Sequence, residues 1–283
     1  MMSTLFCLAA RFLSTILFLG ASVGLFSWKY TSKSEVEDRP MSVGLQTRGS
    51  FVNCWCVAHL VRGCSSGAQI FTCSGTFCAR GRWDCQLLRG LADVPFCSSY
   101  LLFVLFLGHV NYTASGRTFP RLMPVFFLCN GAFYAVVIAL AAKCLASETH
   151  ANLYGRMVFN SIGLAYVACL GLLLHFGRGL RTTLTAGVMI APPELIGVAT
   201  RFGALVAAVF VCQAVHYFSW TSRSFEAYLT HRGHTTCHGI CATDFVLNLG
   251  LEFLPTLAGF ALLRQGARRR PPVAASPRYQ SIV

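Results

Sequence analysis

Long apolar blocks alternate with short polar connectors along the chain, and the blocks have about the length of a membrane crossing. A hydrocarbon core of ~30 Å takes roughly 20 helical residues. Seven blocks reach or approach that length: Leu5–Trp28, Phe51–Phe77, Val94–Val110, Leu122–Ala142, Met157–Phe176, Leu195–Trp220 and Ala242–Leu263. None shows the strict alternation of a barrel strand, so helices are predicted throughout. The pattern gives an all-α polytopic bundle, with a seven-span domain over residues 1–270 and a short polar cytosolic tail over 271–283. No connector is long enough for a second domain, and no internal repeat supports an inverted-repeat transporter.

The second block is the weakest, because Arg62 and several Gly and Ser residues interrupt it. The first block has a rival reading as a cleaved signal peptide. No basic residue precedes Arg11, and that arginine falls where the apolar core of a signal belongs, so the block is read as a span. Connector charge then sets the orientation. With the N-terminus non-cytosolic, the cytosolic side carries thirteen Lys and Arg against seven on the other side. The positive-inside rule therefore predicts a non-cytosolic N-terminus and a cytosolic C-terminus. The tail cluster Arg264, Arg268, Arg269 and Arg270 decides the count. On this topology the sequon Asn111-Tyr112-Thr113 faces the cytosol and stays bare, whereas a cleaved first block would turn it to the lumen.

Composition agrees with the pattern: 55% of residues are hydrophobic and 12% charged, against about 25% charged in a soluble domain. The net charge of +13 invites a nucleic-acid reading. The basic residues sit in short connectors and at the tail, flanking spans, so no nucleic-acid partner is expected; the bilayer is the partner. Fourteen cysteines, several inside apolar blocks, define no disulfide framework.

Polar groups inside the blocks carry the candidate chemistry. Glu252 stands in the seventh block, three residues before Pro255. A carboxylate at mid-membrane costs roughly 2.5–3.5 kcal/mol, so it wants a partner or a proton. Pro255 has no N–H for the carbonyl at position 251, which leaves an acceptor to which a protonated carboxyl could donate. Arg62 and Arg201 are the interior cations, and Asn130, Asn160 and Asn248 the interior amides. Arg201 lies near a span end and reads as a snorkelling residue, which leaves Arg62 as the better ion-pair candidate. Asp93 falls near a span end. The histidines at 59, 109, 175 and 216 read as packed or interfacial. One string, "HRGHTTCHGIC", offers His231, His234, Cys237, His238 and Cys241 at short spacings. No second knuckle completes a zinc pattern, so neither metal nor cofactor is expected. No nucleophile elbow, zinc-protease motif or phosphate-binding loop is present, and the chain is not expected to be an enzyme.

The runs "DVPFCSSYLLFVLFLGHV" (Asp93–Val110), "LCNGAFYAVVIAL" (Leu128–Leu140) and "NLGLEFLPTLAGFALLR" (Asn248–Arg264) resemble the tobamovirus multiplication protein family of plants. The family's D-x-P entry and serine-tyrosine core correspond to Asp93, Pro95 and Ser98 to Tyr100. Its N-G-x-x-Y motif corresponds to Asn130, Gly131 and Tyr134, and its Glu-x-x-Pro motif to Glu252 and Pro255. "FGRGLRTTL" (Phe176–Leu184) resembles its basic loop, and "RFGALVAAVFVCQAV" its sixth span. The likeness covers roughly residues 51–270 and departs from the family at 221–241.

The resemblance implies a seven-span protein of the vacuolar membrane or another endomembrane. It also implies a host factor that tethers a tobamovirus replication protein and associates with an Arf-like small GTPase. Such proteins are distantly like orphan receptor-like proteins of animal lysosomes. The expected function is thus a non-enzymatic membrane scaffold. The alternatives are a proton- or ligand-coupled transporter or channel using Glu252, and an atypical seven-helix receptor. The receptor reading lacks Asp/Glu-Arg-Tyr after the third span and Asn-Pro-x-x-Tyr in the seventh.

Overall fold

The computed structural model describes residues 2–33, 43–72, 83–114, 122–147, 149–185, 193–221, 245–258 and 261. Every regular element among them is helical: α1 (Met2–Lys33), α2 (Val43–Thr72), α3 (Trp83–Leu91), α4 (Asp93–Ala114), α5 (Leu122–Ala146), α6 (Ala151–Thr185), α7 (Pro193–Thr221) and α8 (Phe245–Ala258). Among the described residues, five segments are long and apolar enough to cross a membrane: Leu5–Trp28, Leu87–His109, Phe126–Ala146, Ala151–Thr182 and Thr200–Ser219. Helix α2 has the length, at 30 residues, but its inward face carries polar side chains and it is not among the five. Helix α8 is a shorter apolar helix.

Several helices run past the apolar blocks. Helix α6 has 35 residues, about 52 Å at 1.5 Å per residue. It therefore continues well beyond a ~30 Å hydrocarbon core, and residues 177–185, expected in a connector, are its last turns. Backbone hydrogen bonding propagates until something interrupts it, and leaving the lipid does not. Helix α3 was not anticipated. It is set off from α4 by Ala92, three residues before Pro95, whose ring opposes the carbonyl four residues back and which cannot donate to it. Two side chains of α2 take carbonyls in the last turn of α3: Arg62 Nη1 donates to Arg89 O at 3.0 Å, and the Ser65 hydroxyl to Leu88 O.

Helix α4 is the most buried of the five apolar segments and packs against both α2 and α6. The main core gathers around it, with Phe96, Tyr100, Val104, Ile162, Tyr166, Val206 and Phe210 all but sealed from the surface. Helices α1 and α2 pair antiparallel, as do α6 and α7, whereas α4 and α6 run parallel, with Cys97 near Cys169 and Asn111 near Gly179. On α1 and α2, Gly63 lies against Leu19 and Gly67 against Thr15. On α6 and α7, Gly163 lies against Tyr217 and Phe218. The outer faces of α1 and α5 stay apolar and exposed, as at Phe12, Val23, Leu128 and Ile138.

Candidate functional site

Arg62 is 1% exposed and Glu252 0% exposed, in the middle of the bundle. The guanidinium of Arg62 meets the carboxylate in a fork: Nε donates to Oε2 at 2.7 Å and Nη2 to Oε1. The same Nη2 pairs with Asp93, itself 4% exposed at the start of α4. One arginine on α2 therefore joins α3, α4 and α8. Arginine suits this position because it presents several donors in a fixed plane and keeps its charge when buried.

The local shape of α8 aims Glu252 inward. Residues Leu249–Phe253 form a wide π-helical turn, in which the Leu254 N–H bonds to Leu249 O. Such turns arise where the i to i−4 ladder is disturbed, here just ahead of Pro255. The carbonyl of Leu251 is the acceptor that Pro255 cannot serve. It does not receive a carboxyl proton from Glu252; the phenol of Tyr100 on α4 donates to it at 3.0 Å. The carboxylate has gone to Arg62 instead, because a charge-assisted fork outweighs one neutral hydrogen bond. Pro255 itself is buried beside this turn.

A second tier of polar contacts surrounds the cluster. Arg89 Nη2 donates to His216 Nε2 on α7 at 2.5 Å. His59, fully buried, donates from Nδ1 to Trp55 O at 2.8 Å and packs against Phe18 and Phe96. Its Nε2 has no partner among the described residues. Asn130 stands apart from the charges: Ser98 Oγ on α4 lies 2.8 Å from Asn130 Oδ1 and 3.2 Å from the Tyr134 hydroxyl. Asn248 is buried one turn before Glu252, with its amide nitrogen unpartnered among the described residues. Arg201 is exposed on α7.

The structure thus brings Arg62 and Glu252 together and adds Asp93, which sequence position had placed near a span end. The signal for Asp93 was its place immediately before the third apolar block, Val94–Val110, but its partner depends on how α2 packs on α4. The tail arginines Arg264, Arg268, Arg269 and Arg270 lie outside the described residues, as do His231, His234, Cys237, His238 and Cys241. Among the described residues, no group of three or more His, Cys, Asp or Glu side chains could hold a metal ion.

Neither a curated protein nor a solved structure gives a significant match to the chain. Residues 55–192 match the THH1/TOM1/TOM3 domain. The matched stretch contains Arg62, Asp93, Tyr100, Asn130 and Tyr134, while Glu252 lies beyond it. Over residues 55–192 the chain thus matches the THH1/TOM1/TOM3 domain, which is that of the tobamovirus multiplication protein family.

Proposed function

We propose that the chain is a non-enzymatic, multi-pass endomembrane scaffold, a host factor of the tobamovirus multiplication type. The domain match over residues 55–192 carries this reading. Helices α2 and α8 would complete a seven-span bundle with the five apolar segments. The charge balance of the connectors favours a non-cytosolic N-terminus and a cytosolic C-terminus. On that topology the cytosolic face comprises the connectors after α1, α4 and α6 and the basic tail. This face would engage an Arf-like small GTPase and a tobamovirus replication protein. The tail would add attraction to anionic lipid of about 1 kcal/mol per basic residue near the surface. The vacuolar membrane is the proposed location.

Glu252 serves packing in this reading. Arg62 holds both of its carboxylate oxygens, as expected of a group that fixes one helix against another. The deciding experiment is proximity labelling from a C-terminal fusion combined with organelle imaging. Enrichment of cytosolic small GTPases on vacuolar membranes supports the scaffold; dominance of soluble lumenal proteins removes both the topology and the scaffold. Proton flux into proteoliposomes that is lost in Glu252→Gln with folding intact would replace it with a transporter.

A further inference from the structure

The state of the described cysteines differs between the two ends of the bundle. Cys7, near the start of α1, is disulfide-bonded. Cys54 and Cys56, in the first half of α2, and Cys129, in the first half of α5, are free thiols. Helix α1 runs antiparallel to α2, with Gly63 on Leu19 and Gly67 on Thr15, so their starts lie at opposite ends. The start of α5 lies at the α2 end, because Phe126 shares one cluster with Phe51, Trp55 and Leu102. Disulfides persist in oxidising compartments and free thiols in reducing ones. The free-thiol end is also the cytosolic end on the orientation proposed above.

Access and depth set these three thiols apart from the other free cysteines. Cys129 is exposed, beside Phe127 and Leu128 at 62% and 74% exposure. Cys54 and Cys56 are half-buried and pack around the aromatic cluster. By contrast, Cys97, Cys144 and Cys169 are buried. Basic residues flanking an apolar block mark the membrane edge. Cys54 and Cys56 follow Arg48 by six and eight positions, and Cys129 follows Arg121 by eight. At 1.5 Å per residue, each thiol lies roughly 9–12 Å along its helix from that edge. Asn53, exposed next to Cys54, fits the nearness of the polar interface. Cys64 is exposed too, but it stands about 24 Å along α2 from Arg48, deep in the hydrocarbon.

We propose that Cys54, Cys56 and Cys129 are S-acylation sites at the cytosolic end of the bundle, an inference that rests on the orientation proposed above. The acyl donor is a long-chain acyl-coenzyme A thioester. The cysteine sulfur attacks the thioester carbonyl and forms the new thioester. The bond from that carbonyl to the coenzyme A sulfur breaks, and the cysteine's proton leaves on the coenzyme A thiol. No oxidant or reductant is consumed. The chains lie in lipid along the outer faces of α2 and α5. They add apolar surface to α2, the long helix that is not among the five apolar segments, and hold it in the bilayer. Hydrolysis of the thioester reverses the effect.

Cells expressing the full chain are fed an alkyne-bearing palmitate analogue, and the label is measured before and after neutral hydroxylamine, which cleaves thioesters. Hydroxylamine-labile label is expected on the wild-type chain. It should fall at least fivefold in the triple variant Cys54→Ala, Cys56→Ala, Cys129→Ala and stay unchanged in Cys64→Ala. Mass spectrometry of the wild-type chain, with thiols blocked before hydroxylamine and tagged after it, locates the chains without any substitution. Absence of label, label undiminished in the triple variant, or tags only on other cysteines overturns the proposal. Proximity labelling from the C-terminus reads the orientation separately. Cytosolic neighbours without acylation remove this inference alone, whereas lumenal neighbours remove the orientation and the inference together.

Discussion

Arg62 and Glu252 are separated by 190 positions in the chain, yet they form a bidentate ion pair at the centre of the bundle. The pair does more than neutralise two charges. Arg62 also reaches Asp93 and the carbonyl of Arg89, so four elements share one guanidinium. Replacing either partner strands the other, because the low-dielectric interior offers it no water.

The first prediction follows from that. Arg62→Ala or Glu252→Ala costs about 3–5 kcal/mol, the usual penalty for leaving one buried charge unpaired. The double replacement Arg62→Met with Glu252→Leu costs less than the sum of the single changes. Asp93 limits the recovery, since it keeps its own charge. Thermal unfolding of purified protein, followed with a thiol-reactive dye, checks the order; the buried free cysteines Cys97, Cys144 and Cys169 report the unfolded state. Additive effects would show that the pair contributes nothing as a pair.

Tyr100→Phe removes the donor to Leu251 O and lowers stability by about 1 kcal/mol, the net worth of one hydrogen bond. In a Pro255→Ala background the loss shrinks, because a backbone N–H is restored for that carbonyl. A double-mutant cycle on unfolding temperatures measures the coupling. An undiminished loss in the alanine background would mean that Tyr100 is not standing in for the proline's missing donor.

Glycines sort by what a methyl group would meet. At Gly90 an added Cβ would stand 2.5 Å from Phe159 Cε1, where α3 packs on α6. Gly90→Ala therefore destabilises by about 1–3 kcal/mol through overpacking. Gly131→Ala, on the outer face of α5 with nothing within 4 Å, leaves the unfolding temperature unchanged or raises it slightly, since alanine favours the helix.

Asn111 is expected to carry no glycan. It sits in α4, and a Cβ at Gly179 of α6 would come within 2.5 Å of its Nδ2, so the two helices leave no room for a sugar. Endoglycosidase treatment should leave the mobility of the expressed protein unchanged, and Asn111→Gln should match wild type. A mobility shift abolished by Asn111→Gln would contradict both this packing and the proposed cytosolic placement of the sequon.

The sequence by itself determined the helical class, the apolar segments and the fact that Glu252 needed a partner. Hydropathy and residue type are local properties, and insertion into lipid selects on them directly. Arg62 was also legible, as the deeper of two interior cations. Tertiary structure alone decided where those groups went. Asp93 became the second partner of Arg62 because α2 packs on α4. Tyr100 took the carbonyl freed by Pro255 because α4 lies beside the π turn of α8. The short α3 escaped notice because nine residues of low hydropathy carry no span signal. The burial of Arg11, Gln69 and Asn248 together was equally hidden, since they come from three distant helices. What places Arg11 and Gln69 at one level is the antiparallel packing of α1 and α2, fixed by contacts such as Gly63 on Leu19 and Gly67 on Thr15. Register between helices depends on side-chain fit across the interface, and no single stretch of chain contains both sides of that fit.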